Sequence, residues 1–139
     1  MGKRTATAME LATAAPLFER NPQVRSASIV ENAIDRAHLA RYTMGDAALE
    51  REILELFVNH LPNTIRDLGL ATTDRDWHMA AHALKGSARA VGAWRLARCA
   101  EIAERLGVAD YEATHDALTS IAAAAAETSA CVSRIIAGV

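Results

Sequence analysis

Residues 77–92 read WHMAAHALKGSARAVG, and this stretch has two unlike faces when it is drawn as an α-helix. Each residue advances by about 100° around a helix, so one face collects apolar side chains. Those apolar residues are Trp77, Ala80, Ala81, Leu84, Ala88 and Val91. The opposite face is basic and carries Arg75, His78, His82, Lys85, Gly86 and Arg89, with Met79 at its edge. The pattern predicts a helix with one face in the core and the other in water.

The same helical period continues on both sides of this stretch, from Ile34 onward. Candidate N-caps are Asp35, Asp46 and Asp74, and candidate stops are Gly45, Gly92 and Gly107. The last helix is expected to begin near Asp110. The segment after Asp46 has an apolar stripe of Leu49, Ile53, Leu56, Phe57, Leu61, Ile65 and Leu68. Pro62 interrupts that stripe and should kink the helix without ending it. Because no segment alternates like a strand, we expect an all-α chain, an antiparallel up-down four-helix bundle with one or more short extra N-terminal helices.

The composition restricts the class of protein. The chain has 139 residues, is 51% hydrophobic and has a formal net charge of −2, which suits a single folded domain and gives no general attraction for nucleic acid or an anionic membrane. Two cysteines cannot form a disulfide framework. No signal sequence follows Met1, and no apolar run approaches the ~20 residues of a spanning helix, so we expect a cytoplasmic protein. Residues 1–27 are expected to be a partly ordered N-terminal extension, followed by the helical domain at 28–139.

The basic face of the 77–92 helix contains a glycine that its local structure does not need. Gly86 costs a helix about 0.5–1 kcal/mol relative to alanine, and it lies one turn beyond His82 on the same face. We infer that a partner must approach His82 closely. A neutral imidazole is nucleophilic near neutral pH, and Lys85 can place a cation beside a phosphoryl group. On these residues alone, a solvated helix face remains the more common explanation.

A longer run of residues resembles histidine-containing phosphotransfer (HPt) domains. The core of the resemblance is His82-Ala83-Leu84-Lys85-Gly86-Ser87-Ala88, followed by Val91-Gly92-Ala93 and Leu96-Ala97. Similar residues also stand at Ile34-Asp35, Leu39, Gly45-Asp46, Leu61-Pro62 and Asp76-Trp77. The resemblance covers the chain from about Ile29 to its C-terminus.

This resemblance implies a role in a multistep phosphorelay. His82 would accept a phosphoryl group from an aspartyl phosphate on a receiver domain and pass it reversibly to a response regulator, with Lys85 supporting the phosphate and Gly86 clearing the approach. The partners would be receiver domains and a hybrid sensor histidine kinase, met by a monomer without kinase activity. The domain itself would need no cofactor, because the Mg²⁺ that assists transfer belongs to the receiver. The residues expected to contact the partner are Arg75, His78, Met79, Ala83 and Arg89.

Three points stay open at the level of sequence. The chain departs from the family at Arg89, where a smaller residue is common, and Arg89 contacts either the phosphate or the partner. The domain is alternatively an adaptor that docks without transfer. A more remote alternative is a metal site, because His78 and His82 have the spacing of helical zinc ligands, but Met79 stands where that motif needs a glutamate. We expect His60 to lie in the core and Ser87 to face it.

Overall fold

The computed structural model describes Val30 and residues 32–139, and within them every regular element is an α-helix. The helices are α1 (Arg36–Thr43), α2 (Ala47–Leu70), α3 (Asp74–Ala90), α4 (Trp94–Glu104) and α5 (Tyr111–Ala137). The all-α prediction is therefore confirmed for this part of the chain. The N-terminal extension predicted at 1–27 lies outside the described residues.

Helices α2 to α5 close a ring of contacts around one core. Each packs against the next along the chain, α5 packs against α2, and the short α1 packs against α2. The core is aliphatic and alanine-rich, with Leu54, Leu68, Leu84, Leu96 and Ile121 fully buried. Alanines at the centre of α4 and α5 leave little side-chain bulk between helices, which allows their backbones to approach closely.

Local signals set most of the helix boundaries. The side chains of Asp35 and Asp46 accept hydrogen bonds from backbone N–H groups of the first turns of α1 and α2, as predicted. Helix α5 begins after Asp110, near the predicted start, and the Asp110 side chain accepts from the Ala113 N–H. After α3, Gly92 adopts a left-handed φ of 75°, as expected of a glycine at a helix stop. Helix α2 continues through Pro62 to Leu70, so the proline does not end it.

Two boundary predictions are wrong. Thr73, and not Asp74, is the N-cap of α3, because its side chain accepts from the Asp76 N–H. The Asp74 carboxylate instead accepts from the backbone N–H of Val108 at 2.8 Å, which fixes the loop that follows α4. Helix α4 ends at Glu104, before the stop expected at Gly107, because the backbone N–H groups of its last turn close on carbonyls three residues back.

Fewer residues of the predicted apolar stripe of α2 are buried than expected. Its buried residues are Leu54, Phe57, Leu61 and Leu68, whereas Leu49 and Leu56 are 38% and 52% exposed. His60 is exposed as well, so its predicted place in the core is wrong. These residues lie roughly 90–130° around the helix from the line of buried residues.

Helix α5 is more apolar than expected, because the sequence analysis found no stretch long and apolar enough to span a membrane. It has 27 residues and a mean hydropathy of 1.2 in its best window, the only such helix among the residues described. Its apolar side packs against α4 and α2, burying Ile121, Ala124, Ala125 and Val132. Length and composition of this kind occur in membrane-spanning helices and in core helices of soluble proteins, and 33% of this window is buried against the other described residues.

Candidate functional site

Most of the basic face of α3 lies in solvent, as the sequence predicts, but the Lys85 side chain is only 17% exposed. The buried residues of this helix are Trp77, Ala81, Leu84 and Ala88, which turns His82 outward with 65% of its side chain exposed. Trp77 fixes the rotation of the helix, because its indole N–H donates to the Ala103 carbonyl of α4 at 2.7 Å. The core side of α3 thus determines what its other side presents.

Glu104 at the end of α4 organises this face. One carboxylate oxygen, Oε1, lies 2.8 Å from Nδ1 of His82, and the other, Oε2, lies 2.6 Å from the Lys85 ammonium. Only 12% of the Glu104 side chain is exposed. The hydrogen bond from Lys85, followed by that from His82, lowers the pKa of Glu104 to about 2. Glu104 is therefore ionised at neutral pH.

The Glu104 contact determines which ring nitrogen of His82 can react. An ionised carboxylate only accepts hydrogen bonds, so Nδ1 of His82 carries the proton and donates it to Glu104. In the neutral ring, Nε2 then bears the lone pair. The site offers a neutral nitrogen nucleophile held in one tautomer by a carboxylate.

Gly86 leaves the approach to this face open. A Cβ placed on Gly86 would have nothing within 4 Å in the part of the chain that the structure describes. The glycine is therefore not required for helix packing within these residues. Its missing side chain leaves room on the same face as His82, one turn further along α3.

The remaining predicted site residues lie on the two sides of His82. His78 donates from Nδ1 to the Glu104 carbonyl at 3.2 Å, and its Nε2 lies 3.6 Å from the Glu104 carboxylate. Arg89 pairs with Glu101 of α4 at 2.9 Å. On the other side, Met79 is 56% exposed and Ala83 is exposed; Arg75 is exposed near the start of the helix. The site is thus charged toward α4 and apolar toward α2.

An open apolar groove of about 320 Å³ extends this apolar side. Its lining comes from α2 and from the last turns of α3 and is formed by Ile53, Leu56, Phe57, His60, Leu61, Thr64, Ser87, Ala90 and Val91. Ser87 is exposed there, so the prediction that it faces the core is wrong. The groove is the place where Leu56 and His60 of α2 are uncovered.

Glu101 and Glu104 were not predicted as site residues, and the outward face of α3 was expected to be purely basic. Both acids lie on α4, so the periodicity of α3 contains no sign of them. Their spacing of three residues places them near each other on α4, with Glu104 one turn after the buried Ala100, and this was the only available signal. Among the described residues, no group of three or more His, Cys, Asp or Glu side chains is arranged to hold a metal ion.

Comparison with known families identifies the domain. Residues 52–135, more than half of the chain, match the model of the Hpt domain. The chain therefore belongs to the Hpt family, whose members are phosphohistidine carriers in two-component signalling and interact with receiver domains and kinases. Searches of curated proteins and of solved structures give no match.

Proposed function

We propose that this protein is a phosphorelay intermediate that carries a phosphoryl group on Nε2 of His82. The observation that supports this most directly is the exposed imidazole whose Nδ1–H donates to Glu104, at 2.8 Å. A reactive nitrogen that faces solvent while its partner nitrogen is held is what in-line attack on a phosphorus atom requires. The same family membership supports a four-helix bundle with antiparallel, up-down helices, and the closed ring of contacts agrees with it.

The proposed transfer needs no reactant besides His82 and the aspartyl phosphate of the receiver. The Nε2 lone pair of His82 attacks the phosphorus of an aspartyl phosphate on a receiver domain. The N–P bond forms as the acyl O–P bond breaks, and the receiver regains its carboxylate. The phosphorylated ring keeps its proton on Nδ1 and gains positive charge, which the adjacent Glu104 carboxylate stabilises. The reverse steps pass the group to a response regulator.

Lys85 and Gly86 have supporting roles in this proposal. The Lys85 ammonium has three N–H donors, and its bond to Glu104 at 2.6 Å leaves others for phosphoryl oxygens. Gly86 leaves the space that an incoming receiver needs. The divalent cation that assists transfer would be held by the receiver, so the domain itself would need no cofactor. We further propose a monomer that acts in the cytoplasm and has no kinase activity.

The docking surface that we propose is the apolar side of the site. Met79 and Ala83 lie on the same side of α3 as Ala90, which lines the groove between α2 and α3, so a receiver could cover His82 and this groove together. Arg75, His78 and Arg89 would contact the partner at the rim. Exposed apolar surface next to a reactive group is typical of a binding face, and a weak association suits a carrier that must leave.

The test is transfer from phosphorylated receiver domains of the source cell. Phosphate that is acid-labile and base-stable should appear on the wild-type protein and be lost in His82→Gln. Lys85→Ala should slow transfer without abolishing it, because the imidazole remains. His115→Gln is a matched control, since His115 is also exposed but lies on α5. If no receiver labels the wild-type protein while one of them binds it, the protein is an adaptor and this proposal is wrong.

A further inference from the structure

Three arginines surround a single carboxylate beside the candidate site. Glu101 of α4 lies 2.9 Å from Arg89 of α3, 3.3 Å from Arg98 and 3.2 Å from Arg105. The three guanidinium side chains are 51%, 68% and 73% exposed, whereas that of Glu101 is 24% exposed. We call these four residues the arginine cluster. The carboxylate lies beneath, and the cations lie toward solvent.

The cluster holds more positive charge than its own carboxylate neutralises. Three guanidinium groups against one carboxylate leave two positive charges in excess, on a chain whose formal net charge is −2. Arg95 on the same helix is different, because it pairs one-to-one with Glu127 of α5 at 3.1 Å. Each guanidinium has five N–H donors in a planar fork, so most donors of the cluster remain available to an anion.

The cluster is continuous with the phosphoacceptor site. An open depression of about 540 Å³ is lined by His78, Lys85, Arg89, Glu101, Glu104 and Arg105. Arg105 directly follows Glu104, which holds His82. A partner large enough to cover His82 from the α4 side therefore meets these guanidinium groups.

We propose that the arginine cluster is a docking surface for a carboxylate-rich face of the phosphotransfer partner, with Glu101 positioning the three guanidinium groups. This inference rests on the proposed function and adds a second, charged contact opposite the apolar groove. Exposed charges of this kind act mainly on the rate of encounter, and salt screens them. A protein partner is favoured over nucleic acid because the rest of the surface is acidic in sum and would repel a polyanion.

The first test uses the receiver domain that transfers fastest to His82. Its second-order transfer rate constant is measured at about 10 mM salt and at about 0.15 M, where the Debye length is about 30 Å and about 8 Å. Arg98→Gln and Arg105→Gln should each lower the rate roughly two- to fivefold at low salt and flatten its salt dependence.

Arg95→Gln is the matched control, because it makes the same charge change on the same helix outside the cluster, and it should lower the rate less than either cluster variant does. Circular dichroism of each variant shows whether helix content is kept. If Arg98→Gln, Arg105→Gln and Arg95→Gln all transfer at the wild-type rate and salt slope, the inference is wrong while the proposed function stands.

A second measurement does not depend on transfer. A peptide of six aspartates is titrated into the isotopically labelled protein, and the Nε–H resonances of the arginines are followed by NMR. Shifts at Arg89, Arg98 and Arg105 that exceed those at Arg95 support the cluster even if no receiver labels His82. Equal shifts at Arg95, or tighter binding of duplex DNA than of the peptide by the same arginines, contradict it.

Discussion

At the scale of single residues, Glu104 connects the chemistry of the site to its stability. The ammonium of Lys85 and the ring of His82 hold the pKa of Glu104 at about 2, below the ordinary 4.5. A carboxyl group whose pKa is lowered by folding stabilises the folded state above its unfolded pKa, and this contribution is lost as the pH falls toward the folded pKa. Glu104 should therefore contribute to stability over the whole neutral range.

We expect Glu104→Gln to lower the free energy of unfolding near neutral pH, and the difference from wild type to shrink between about pH 4.5 and about pH 2. Urea unfolding at a series of pH values measures this difference. Glu55→Gln, the same substitution at an exposed position of α2, is the control. A difference between Glu104→Gln and wild type that stays constant across this pH window would show that Glu104 does not act through its charge.

Gly86 allows stability to be separated from access. Because a Cβ at Gly86 would have no atom of the described residues within 4 Å, we expect Gly86→Ala to raise the free energy of unfolding by about 0.5–1 kcal/mol. Gly86→Gln should keep the helix and slow phosphotransfer, since a long side chain then stands beside His82. Thermal unfolding and transfer rates measure the two effects. Loss of helix content in Gly86→Gln would mean that the glycine is needed for packing.

At the scale of elements, the sequence predicts which residues of a single helix are exposed, but it does not predict the contacts between side chains of two different helices. The outward face of α3, with His82, Lys85 and Gly86, follows from periodicity within that helix. Glu104 reaches His82 only because α4 packs beside α3. The apolar patterns of the two helices do not reveal that they are neighbours. The same limit explains His60: periodicity places it beside apolar residues, but which part of a broad stripe is covered depends on where the neighbouring helices lie.

At Pro62, helix α2 lacks one of its backbone hydrogen bonds. The helix runs from Ala47 to Leu70, so the ring lies in its interior, removes the N–H that would bond the Val58 carbonyl and crowds that carbonyl. We expect Pro62→Ala to raise the free energy of unfolding by about 1–2 kcal/mol, less than the ~3 kcal/mol helix penalty of proline because the unfolded chain gains freedom. Urea unfolding measures the change. A variant less stable than wild type would mean that the proline ring itself contributes to packing.

At the scale of the whole molecule, the turn between α3 and α4 fastens α1 to the bundle. The Asp35 N–H donates to the Gly92 carbonyl at 2.9 Å, and the indole N–H of Trp94 donates to the Asp35 carboxylate at 2.9 Å. The Trp94 bond, followed by that from the His38 backbone, lowers the pKa of Asp35. Asp35 therefore serves as the N-cap of α1 and as the contact between α1 and the α3–α4 turn.

The contact between α1 and the α3–α4 turn leaves no room for a side chain at Gly92, whereas Gly86 has free space around it within the described part of the chain. Its φ of 75° costs an L-residue about 1–2 kcal/mol, and a Cβ there would lie 2.9 Å from the Asp35 carbonyl oxygen. Because that oxygen belongs to the backbone, the clash can be relieved only by moving α1 away from the turn. We expect Gly92→Ala to lower the free energy of unfolding by at least about 2 kcal/mol and to weaken amide protection in α1 before α3. Denaturant unfolding and hydrogen exchange measure the two effects, and equal loss of protection in both helices would show that the turn supports the whole bundle and does not act on α1 in particular.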